Sequence, residues 1–303
     1  MKQIVSTHNL SKRYQGKYCV EDLNISVEEG EIYGFLGPNG AGKSTTLKMI
    51  LGLTRPNNGI VSVFGKEFNK NRRLILSQTG SLIESPSYYG HLTGLENMRI
   101  VQRLREVPEK NVMEALKIVR LDKQIDKKVN QYSLGMKQRL GIAMALMSFP
   151  KLLILDEPTN GLDPAGIGEI RELIKSLPER YGITVLISSH LLTEIEQIAT
   201  SVGIINNGRM MFQGSMAELK DKSHSTIMIK TRNNKLAQEL LYSKGFYSMQ
   251  RGDSLVFENL MDEEIIQANR SLVTANIDVL RIEENKKSLE DIFLDLTGKE
   301  KSL

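Results

Sequence analysis

Cysteine is almost absent from this sequence, and long apolar runs are absent altogether. One cysteine, Cys19, stands among 303 residues, so neither an intrachain disulfide nor a cysteine-based metal site is possible. We expect this thiol to be a small buried hydrophobe. The longest apolar run, 140–147, falls far short of the roughly 20 residues that cross a bilayer. The first residues, MKQIVSTHNLSKRY, lack the apolar segment of a signal peptide. We therefore expect a cytoplasmic protein that needs a partner for any work at a membrane.

The sequence also has little excess charge of either sign. It contains 40 Lys and Arg against 36 Asp and Glu, a formal net charge of +4. Because binding to nucleic acid usually requires a concentrated basic face, we expect no nucleic-acid partner. A hydrophobic fraction of 40% and a charged fraction of 25% are typical of an ordinary globular chain, and the length fits one large domain or two smaller ones.

The residues up to about 222 alternate between strand and helix patterns. Apolar runs predict strands at 31–36, 152–156 and 184–190, and the last two have the continuous character of strands buried in a parallel sheet. Apolar residues at helical spacing predict a helical subdomain over about 88–147. Further helices are predicted at about 165–177 and 191–199. This order indicates an α/β fold with an inserted helical subdomain.

A change of composition near DKSHS (221–225) marks a second predicted domain. Beyond it, strand-like and helix-like segments alternate, and a short helix, SLEDIFLDL, closes the chain. No metal-ligand spacing, glycine-rich loop or charged cluster occurs there. The sequence therefore predicts two domains, 1–222 and 223–303, of which the second is a small α+β accessory domain without chemistry of its own.

The stretch GPNGAGKST matches the phosphate-binding pattern G-x-x-x-x-G-K-[ST] at every fixed position. It follows a predicted strand and opens a predicted helix, which is the context that this motif requires. The glycines let backbone N–H groups wrap phosphates, Lys43 supplies a cation to the β- and γ-phosphates, and the Ser44 hydroxyl binds Mg²⁺. A glycine-rich turn is the alternative. The predicted nucleotide-binding residues here are Gly37, Pro38, Asn39, Gly40, Ala41, Gly42, Lys43, Ser44 and Thr45.

Two adjacent carboxylates end the apolar run KLLILDEP. At the tip of a buried strand, neighbouring side chains point to different faces. Asp156 is therefore predicted to hold Mg²⁺, and Glu157 to act as the general base on a water that attacks the γ-phosphate. An acidic strand end in solvent is common for one carboxylate and a poor explanation for this pair beside a phosphate loop.

A second anion site is predicted at YSLGMKQRL, where Ser133 and Gly135 stand before a helix and leave free N–H groups at its positive end. With this stretch, the chain resembles the ATP-binding-cassette (ABC) ATPases over residues 1 to about 222. In that family a signature loop, usually Leu-Ser-Gly-Gly-Gln, caps the ATP held by a second subunit. The resemblance implies a P-loop NTPase fold and a head-to-tail dimer that sandwiches ATP. Tyr132, Leu134 and Met136 depart from the usual pattern.

The resemblance assigns roles to four further residues. Asp163, in NGLD, matches the loop that communicates across the dimer, and His190 matches the switch histidine that contacts the γ-phosphate and takes part in catalysis with Glu157 and Lys43. Tyr14 stands where the family has an aromatic that stacks on adenine, and Tyr18 is a weaker candidate. Glu84 occupies the place of a glutamine that binds Mg²⁺ or orients the attacking water.

Glutamate at position 84, together with YSLGMKQRLGIA and PTNGLDPAGI, resembles the ATPases of lantibiotic-immunity and bacitracin-resistance exporters of Gram-positive bacteria. The resemblance implies an ATP- and Mg²⁺-dependent ATPase on the inner face of the cell membrane. Its partners would be membrane-spanning permease subunits and a second ATPase subunit, and its cargo a membrane-active peptide. A multidrug or ion exporter is the alternative.

Cassette ATPases that do not transport remain a further alternative. Those of DNA maintenance carry a coiled coil or zinc module between the phosphate loop and the signature, whereas Lys43 and Ser133 are only 90 residues apart, with no heptads or cysteine between them. Translation factors of this class carry two ATPase domains, and this chain has one phosphate loop.

Overall fold

The computed structural model describes residues 2–84, 86–221, 225–258, 260–286 and 288–298. By its internal contacts the chain divides into two compact units. The first runs to Met216 and includes the end of the chain from Leu296, and the second is Ala217–Asp295. The boundary between 222 and 223 stays a prediction. Within the described ranges, no helix has both the length and the apolar character needed to cross a membrane.

The described residues of the first unit form eleven strands, which in chain order are β1 (Gln3–Tyr14), β2 (Lys17–Leu23), β3 (Ser26–Glu28), β4 (Ile32–Leu36), β5 (Asn58–Val63), β6 (Lys66–Glu67), β7 (Thr79–Leu82), β8 (Leu152–Asp156), β9 (Thr184–Ser189), β10 (Ser201–Asn206) and β11 (Arg209–Ser215). They form two sheets. The smaller is antiparallel, with the order β2-β1-β5-β6 and β3 paired to β1. The larger has six strands in the order β11-β10-β4-β9-β8-β7.

The larger sheet positions the predicted site. Its strands from β10 to β7 are parallel, and β11 is an antiparallel edge strand. Every residue of β4, β8 and β9 is buried, because helices cover both faces of a parallel sheet and leave no polar side to their sequences. The carboxyl ends of parallel strands meet at one edge, where ligands of open α/β sheets bind. Consequently the segments that follow β4, β7, β8 and β9 all start from this edge.

In the described residues seven helices accompany these strands: α1 (Lys43–Ile50), α2 (Phe68–Ser77), α3 (Gly94–Arg105), α4 (Lys110–Ile118), α5 (Leu134–Leu146), α6 (Pro164–Tyr181) and α7 (Leu192–Ile195). Helix α8 (Met216–Asp221) follows β11 and belongs to the second unit except for its first residue. Two short 3₁₀ turns, Asp122–Gln124 and Val129–Gln131, lie between α4 and α5. The predicted helical subdomain therefore consists of α3, α4 and α5. A capping box between Thr93 and Glu96 begins α3.

Helix α5 packs closely against the loop that follows β7. Its residues from Leu140 to Leu146 are largely buried, which explains a sequence that is apolar on all sides. Gly141 is required by this packing, since a Cβ atom there would lie 2.8 Å from Pro86. The second half of α5 and the loop after β7 thus pack against each other.

Two helices of the first unit differ from their predicted bounds. Helix α6 continues past Pro178 to Tyr181 and ends at Gly182, whose φ of 64° is the left-handed conformation of a helix cap. Helix α7 has only four residues instead of the predicted nine or so. The chain turns after it because Thr200 must return to β4, where its backbone N–H donates to the Ile32 carbonyl oxygen at 2.9 Å.

The second unit contains β12 (Ser225–Thr231), α9 (Asn234–Ser243), β13 (Met249–Arg251), β14 (Ser254–Glu258), α10 (Asp262–Thr274) and β15 (Val279–Lys286), and α11 (Leu289–Thr297) closes the chain. The sheet is antiparallel in the order β13-β14-β12-β15, which is a βαββαβ arrangement. Alternate residues of the strands, such as Ile229 and Phe257, pack against Leu241 and Leu272 of the helices. The unit thus has its own hydrophobic core.

Candidate functional site

The predicted phosphate loop lies between β4 and α1. Its backbone is tightly constrained at two glycines. A Cβ atom on Gly37 would lie 2.4 Å from the Ile205 carbonyl oxygen, and one on Gly42 would lie 2.6 Å from the Cys19 carbonyl oxygen. Gly42 also has a φ of 106°, which side chains other than hydrogen rarely allow. These two glycines are thus required because other backbone segments of the same chain approach them closely, and also because phosphates need space there.

Lys43 lies at the centre of this loop and is 5% exposed. Its Nζ donates to the Gly37 carbonyl oxygen at 2.8 Å. The backbone therefore holds the ammonium group at the start of α1, where the positive end of the helix also favours an anion. Ser44 and Thr45 follow on the same first turn and are partly exposed.

Cys19 borders the loop and is half-buried rather than buried as expected. Its Sγ lies 3.4 Å from Thr45 Oγ1. The thiol therefore contacts a residue of the phosphate loop in addition to packing beneath it.

The two adjacent carboxylates are held by the neighbouring strand β9. Asp156 pairs in register with Ser188, whose Oγ donates to Asp156 Oδ1 at 2.6 Å. The backbone N–H of Glu157 donates in turn to Ser188 Oγ at 3.0 Å. Glu157 has a φ of 46°, an uncommon left-handed conformation that occurs where the strand has ended. The strand tip thus fixes Asp156 in a buried position and redirects Glu157.

Glu157 joins the three predicted catalytic residues into one chain of contacts. Its Oε1 lies 3.1 Å from Lys43 Nζ, and its Oε2 lies 2.8 Å from His190 Nδ1. His190 comes directly after β9, and Lys43 follows β4, so three segments at one sheet edge meet at a single carboxylate. A base between a phosphate-binding cation and a histidine is suited to activating water for phosphoryl transfer.

Glu84 follows β7 at the same sheet edge and pairs with a residue that the sequence did not single out. Its Oε1 lies 2.5 Å from Nζ of Lys48, which is one helical turn beyond Ser44 on α1. The hydrogen bond and charge of Glu84, followed by the charges of Asp156 and Tyr14, raise the pKa of Lys48. Glu84 adopts a left-handed φ of 60° and remains 66% exposed on its side chain.

The residues predicted to face a second subunit lie at helix starts. Ser133 caps α5, where its Oγ accepts from the Met136 N–H at 3.2 Å, and Asp163 caps α6 through the Gly166 N–H at 3.0 Å. Both side chains are exposed. Within the described part of the chain, no hydrogen bond or ion pair links either of them to the phosphate loop. The structure therefore brings together Lys43, Asp156, Glu157 and His190, and leaves these two facing outward.

Leu134 replaces the glycine that the signature pattern usually has and is 53% exposed. Its Cδ2 lies close to Gly161, two residues before Asp163. A Cβ atom added to Gly161 would lie 3.2 Å from this Cδ2 atom. Gly135, by contrast, has room around it, since the closest atom to an added Cβ would be 3.9 Å away. The packing of this chain alone therefore does not require glycine at 135.

The predicted adenine-binding tyrosines lie on the hairpin of β1 and β2. The turn at Gln15 and Gly16 has positive φ at both residues, as hairpins with two-residue turns prefer. Tyr14 is 50% exposed, with Lys12 Nζ 5.0 Å from its ring centre. Tyr18 is already covered by the Arg13 guanidinium at 4.1 Å. Tyr18 is 40% exposed, so both rings are open to solvent, and the assignment of Tyr14 to adenine stays a prediction.

A buried carboxylate near the catalytic residues also escaped sequence reasoning. Glu194 on α7 is 8% exposed and accepts from Thr159 Oγ1 at 2.7 Å and from Ser189 Oγ at 3.1 Å. It thereby ties the segment after Glu157 to the end of β9, directly before His190. The signal available in the sequence was that Glu194 comes four residues after His190, the histidine predicted to end a strand.

The chemistry of these side chains fits ATP and Mg²⁺. Among the described residues, no group of three or more His, Cys, Asp or Glu forms a ready-made metal cage. Magnesium bound with a nucleotide needs only one or two carboxylates, because phosphates and waters complete its shell. Ser44, Asp156 and Glu84 carry oxygen atoms of the hard type that it prefers.

Comparisons with known proteins identify the family to which this chain is similar. The family model described as "ABC transporter" matches residues 20–160. The chain is 43% identical to the bacitracin transport ATP-binding protein BcrA of Bacillus licheniformis, with 98% of each chain covered. It is also 43% identical to the lantibiotic transport ATP-binding protein SrtF of Streptococcus pyogenes, over 69% of this chain and 90% of that one.

Solved structures of ATP-binding cassettes share the fold. An ATP-binding subunit of an ABC transporter superposes with a TM-score of 0.65 at 30% identity, covering 72% of this chain and 92% of that one. The cassette MJ0796, in a dimeric state with ADP and Pi, gives a TM-score of 0.63 at 26% identity, covering 70% and 98%. The predicted fold class, a P-loop NTPase core with a helical insertion, is confirmed.

Proposed function

Because the chain belongs to the ATP-binding subunits of ABC transporters, which hydrolyse ATP, we propose that it powers the export of a membrane-active peptide antibiotic. The resemblance drawn from the sequence is thus confirmed at the level of the family. Relatives named for bacitracin and lantibiotic transport support the cargo class. Permease subunits in the cell membrane would carry the cargo, and this chain would act on their cytoplasmic face.

The observation that carries the catalytic assignment is the position of Glu157 between Lys43 and His190. We assign Lys43 to the β- and γ-phosphates and Glu157 to the proton of the attacking water. His190 then supports the carboxylate through Oε2 and contacts the γ-phosphate. Before Glu157 can serve a water, Lys43 must turn from it to the nucleotide, so ATP binding itself frees the base.

The same proposal places metal and adenine around this centre. Ser44 and Asp156 would hold Mg²⁺, with Glu84 at its shell or at the attacking water, and Tyr14 would stack on adenine. When bound, Mg²⁺ neutralises charge on the β- and γ-phosphates. The chain's own part is to fix Asp156 through the hydrogen bond that Ser188 Oγ donates to its carboxylate.

A second subunit would complete each site. Ser133, Gly135 and Asp163 lie at exposed helix starts, and free N–H groups at such positions favour a phosphate. We propose that these residues reach the nucleotide on a partner in a head-to-tail dimer. The related cassette MJ0796 has a dimeric structure.

Residues 223–303 are proposed to be an accessory domain that supports the dimer or contacts the permease. The described part of this segment has its own core, and its sequence carries no catalytic motif. If a chain truncated after residue 222 folded but failed to bind ATP, this separation of roles would be refuted.

The cargo is tested in cells that express the chain together with its permease. We expect the wild type to raise resistance to bacitracin or a lantibiotic. Lys43→Ala should abolish that resistance, because the ammonium group assigned to the phosphates is lost. Lys70→Met, which removes an exposed lysine of α2, is the matched control and should keep resistance. Resistance that is unchanged by Lys43→Ala for every peptide, while another drug or ion depends on it, would contradict peptide export and favour the alternative cargo.

A further inference from the structure

The carboxylate at position 84 adds a negative charge beside the proposed triphosphate site. Glu84 follows β7, and Asp156 ends the adjacent parallel strand β8, whose Leu155 pairs with Leu82. Both carboxylates therefore start from the same sheet edge as the phosphate loop. A nucleotide that carries several negative charges is repelled by each carboxylate that lacks a compensating cation. A glutamine at position 84 would not create this problem.

Lys48 provides such a cation beside Glu84. It is four residues beyond Ser44 on α1, so the two side chains share a face of the helix. Its Nζ lies 2.5 Å from Glu84 Oε1, within hydrogen-bond distance. Lys43, the other lysine of this helix, is committed to the loop and to Glu157. Each of the two acids, Glu157 and Glu84, thus has its own lysine on α1.

We propose that Lys48 is a positioning residue that allows this chain to use glutamate at position 84. Its ammonium group cancels the added charge and holds the carboxylate beside the nucleotide site. This inference rests on the proposed function, because it concerns the binding of ATP at that site. A lysine in the last turn of a helix has a purely structural alternative, since it also complements the helix dipole. The two roles differ in whether the effect of Lys48 depends on Glu84.

A double-mutant cycle on nucleotide affinity separates these roles. The variants are Lys48→Met, Glu84→Gln and the two together, in the full chain, with binding of the non-hydrolysable analogue AMP-PNP measured by calorimetry in the presence of Mg²⁺. We expect Lys48→Met to weaken binding about tenfold when Glu84 is present and only about two- to threefold when position 84 is glutamine, a coupling of the size that contacting residues show. Lys48→Arg should restore affinity because it keeps the charge.

Each result of the double-mutant cycle either supports or overturns the proposed role of Lys48. Equal loss from Lys48→Met in both backgrounds, or no loss in either, would overturn the inference while leaving the proposed function intact. Failure of the unchanged chain to bind AMP-PNP would overturn both. Glu84 is exposed and Lys48 is partly exposed, so all variants should unfold at nearly the same temperature, and Lys48→Gln replaces Lys48→Met if the latter folds poorly. Lys70→Met, which breaks the exposed Lys70–Glu67 pair on α2, should leave affinity unchanged.

Discussion

Replacement of Glu157 by glutamine should tighten nucleotide binding as well as stop hydrolysis. The Glu157 carboxylate lies 3.1 Å from Lys43 Nζ and would therefore compete with the phosphates for that ammonium group. At this separation two unit charges attract by about 5 kcal/mol with an effective dielectric constant near 20. Glutamine removes the charge but keeps an oxygen that accepts from Lys43, so only part of this attraction is lost.

The net gain for the nucleotide follows from the difference between charged and neutral hydrogen bonds. A bond to a charged partner contributes about 1 kcal/mol more than a neutral bond, and a partly buried pair adds to this difference. We expect AMP-PNP to bind about 5- to 30-fold more tightly to Glu157→Gln, which corresponds to one or two kcal/mol. Hydrolysis of ATP should fall about 10²- to 10⁴-fold because the general base is lost.

Calorimetry with AMP-PNP measures the first effect and phosphate release from ATP the second. Glu179→Gln, which removes the same charge from the exposed face of α6, is the matched control and should change neither. If Glu157→Gln bound AMP-PNP no better than wild type, Lys43 would not be held back by this carboxylate. Undiminished phosphate release would remove Glu157 from its role as base.

Three further perturbations test other contacts. Glu84→Ala should reduce export in cells far more than it reduces ATP binding, because its loop packs on the signature helix; equal export would make Glu84 an ordinary surface residue. Gly141→Ala should destabilise the first unit by about 1–3 kcal/mol in thermal unfolding, since its Cβ would lie 2.8 Å from Pro86. The control Gly168→Ala has no atom closer than 3.9 Å and should be neutral or stabilising. Glu194→Gln should lower the free energy of unfolding in urea by about 1–3 kcal/mol, because both hydroxyls donate to Glu194 Oε2 and hydrogen bonds to a neutral amide oxygen are weaker than those to a carboxylate; an unchanged value would mean that the carboxylate charge contributes nothing there.

The elements around the catalytic centre were predictable because their signals are local. The strand at 152–156 agrees with β8 in both bounds, since four aliphatic residues before two acids define its start and end. The phosphate loop is defined by glycines: Gly40 and Gly42 have positive φ, and Gly37 has no room for a Cβ atom beside Ile205. Helix bounds were less predictable: α6 passes through Pro178, and α7 is cut short by the return of the chain to β4. These helix bounds depend on tertiary packing, about which the spacing of apolar residues in the sequence carries no information.

The partners of the site residues were not predictable, because they are set by neighbouring strands and helices far away in the chain. Ser188 reaches Asp156 only through the parallel pairing of β8 and β9. Lys48 and Glu84 are 36 residues apart, and neither belongs to a local pattern that names the other. Sequence reasoning therefore singled out the groups that we propose to touch the nucleotide and missed the groups that hold them.

The contact between Gly141 and Pro86 also predicts how this chain can vary between species. The two positions share one small volume, so a substitution that adds atoms at 141 is tolerated only when position 86 becomes smaller or its loop moves. The residue at one of these positions therefore limits which residues are tolerated at the other. Relatives that carry alanine or serine at 141 should carry a non-proline residue at 86, and this co-variation should be absent at Gly168, where an added methyl group has room.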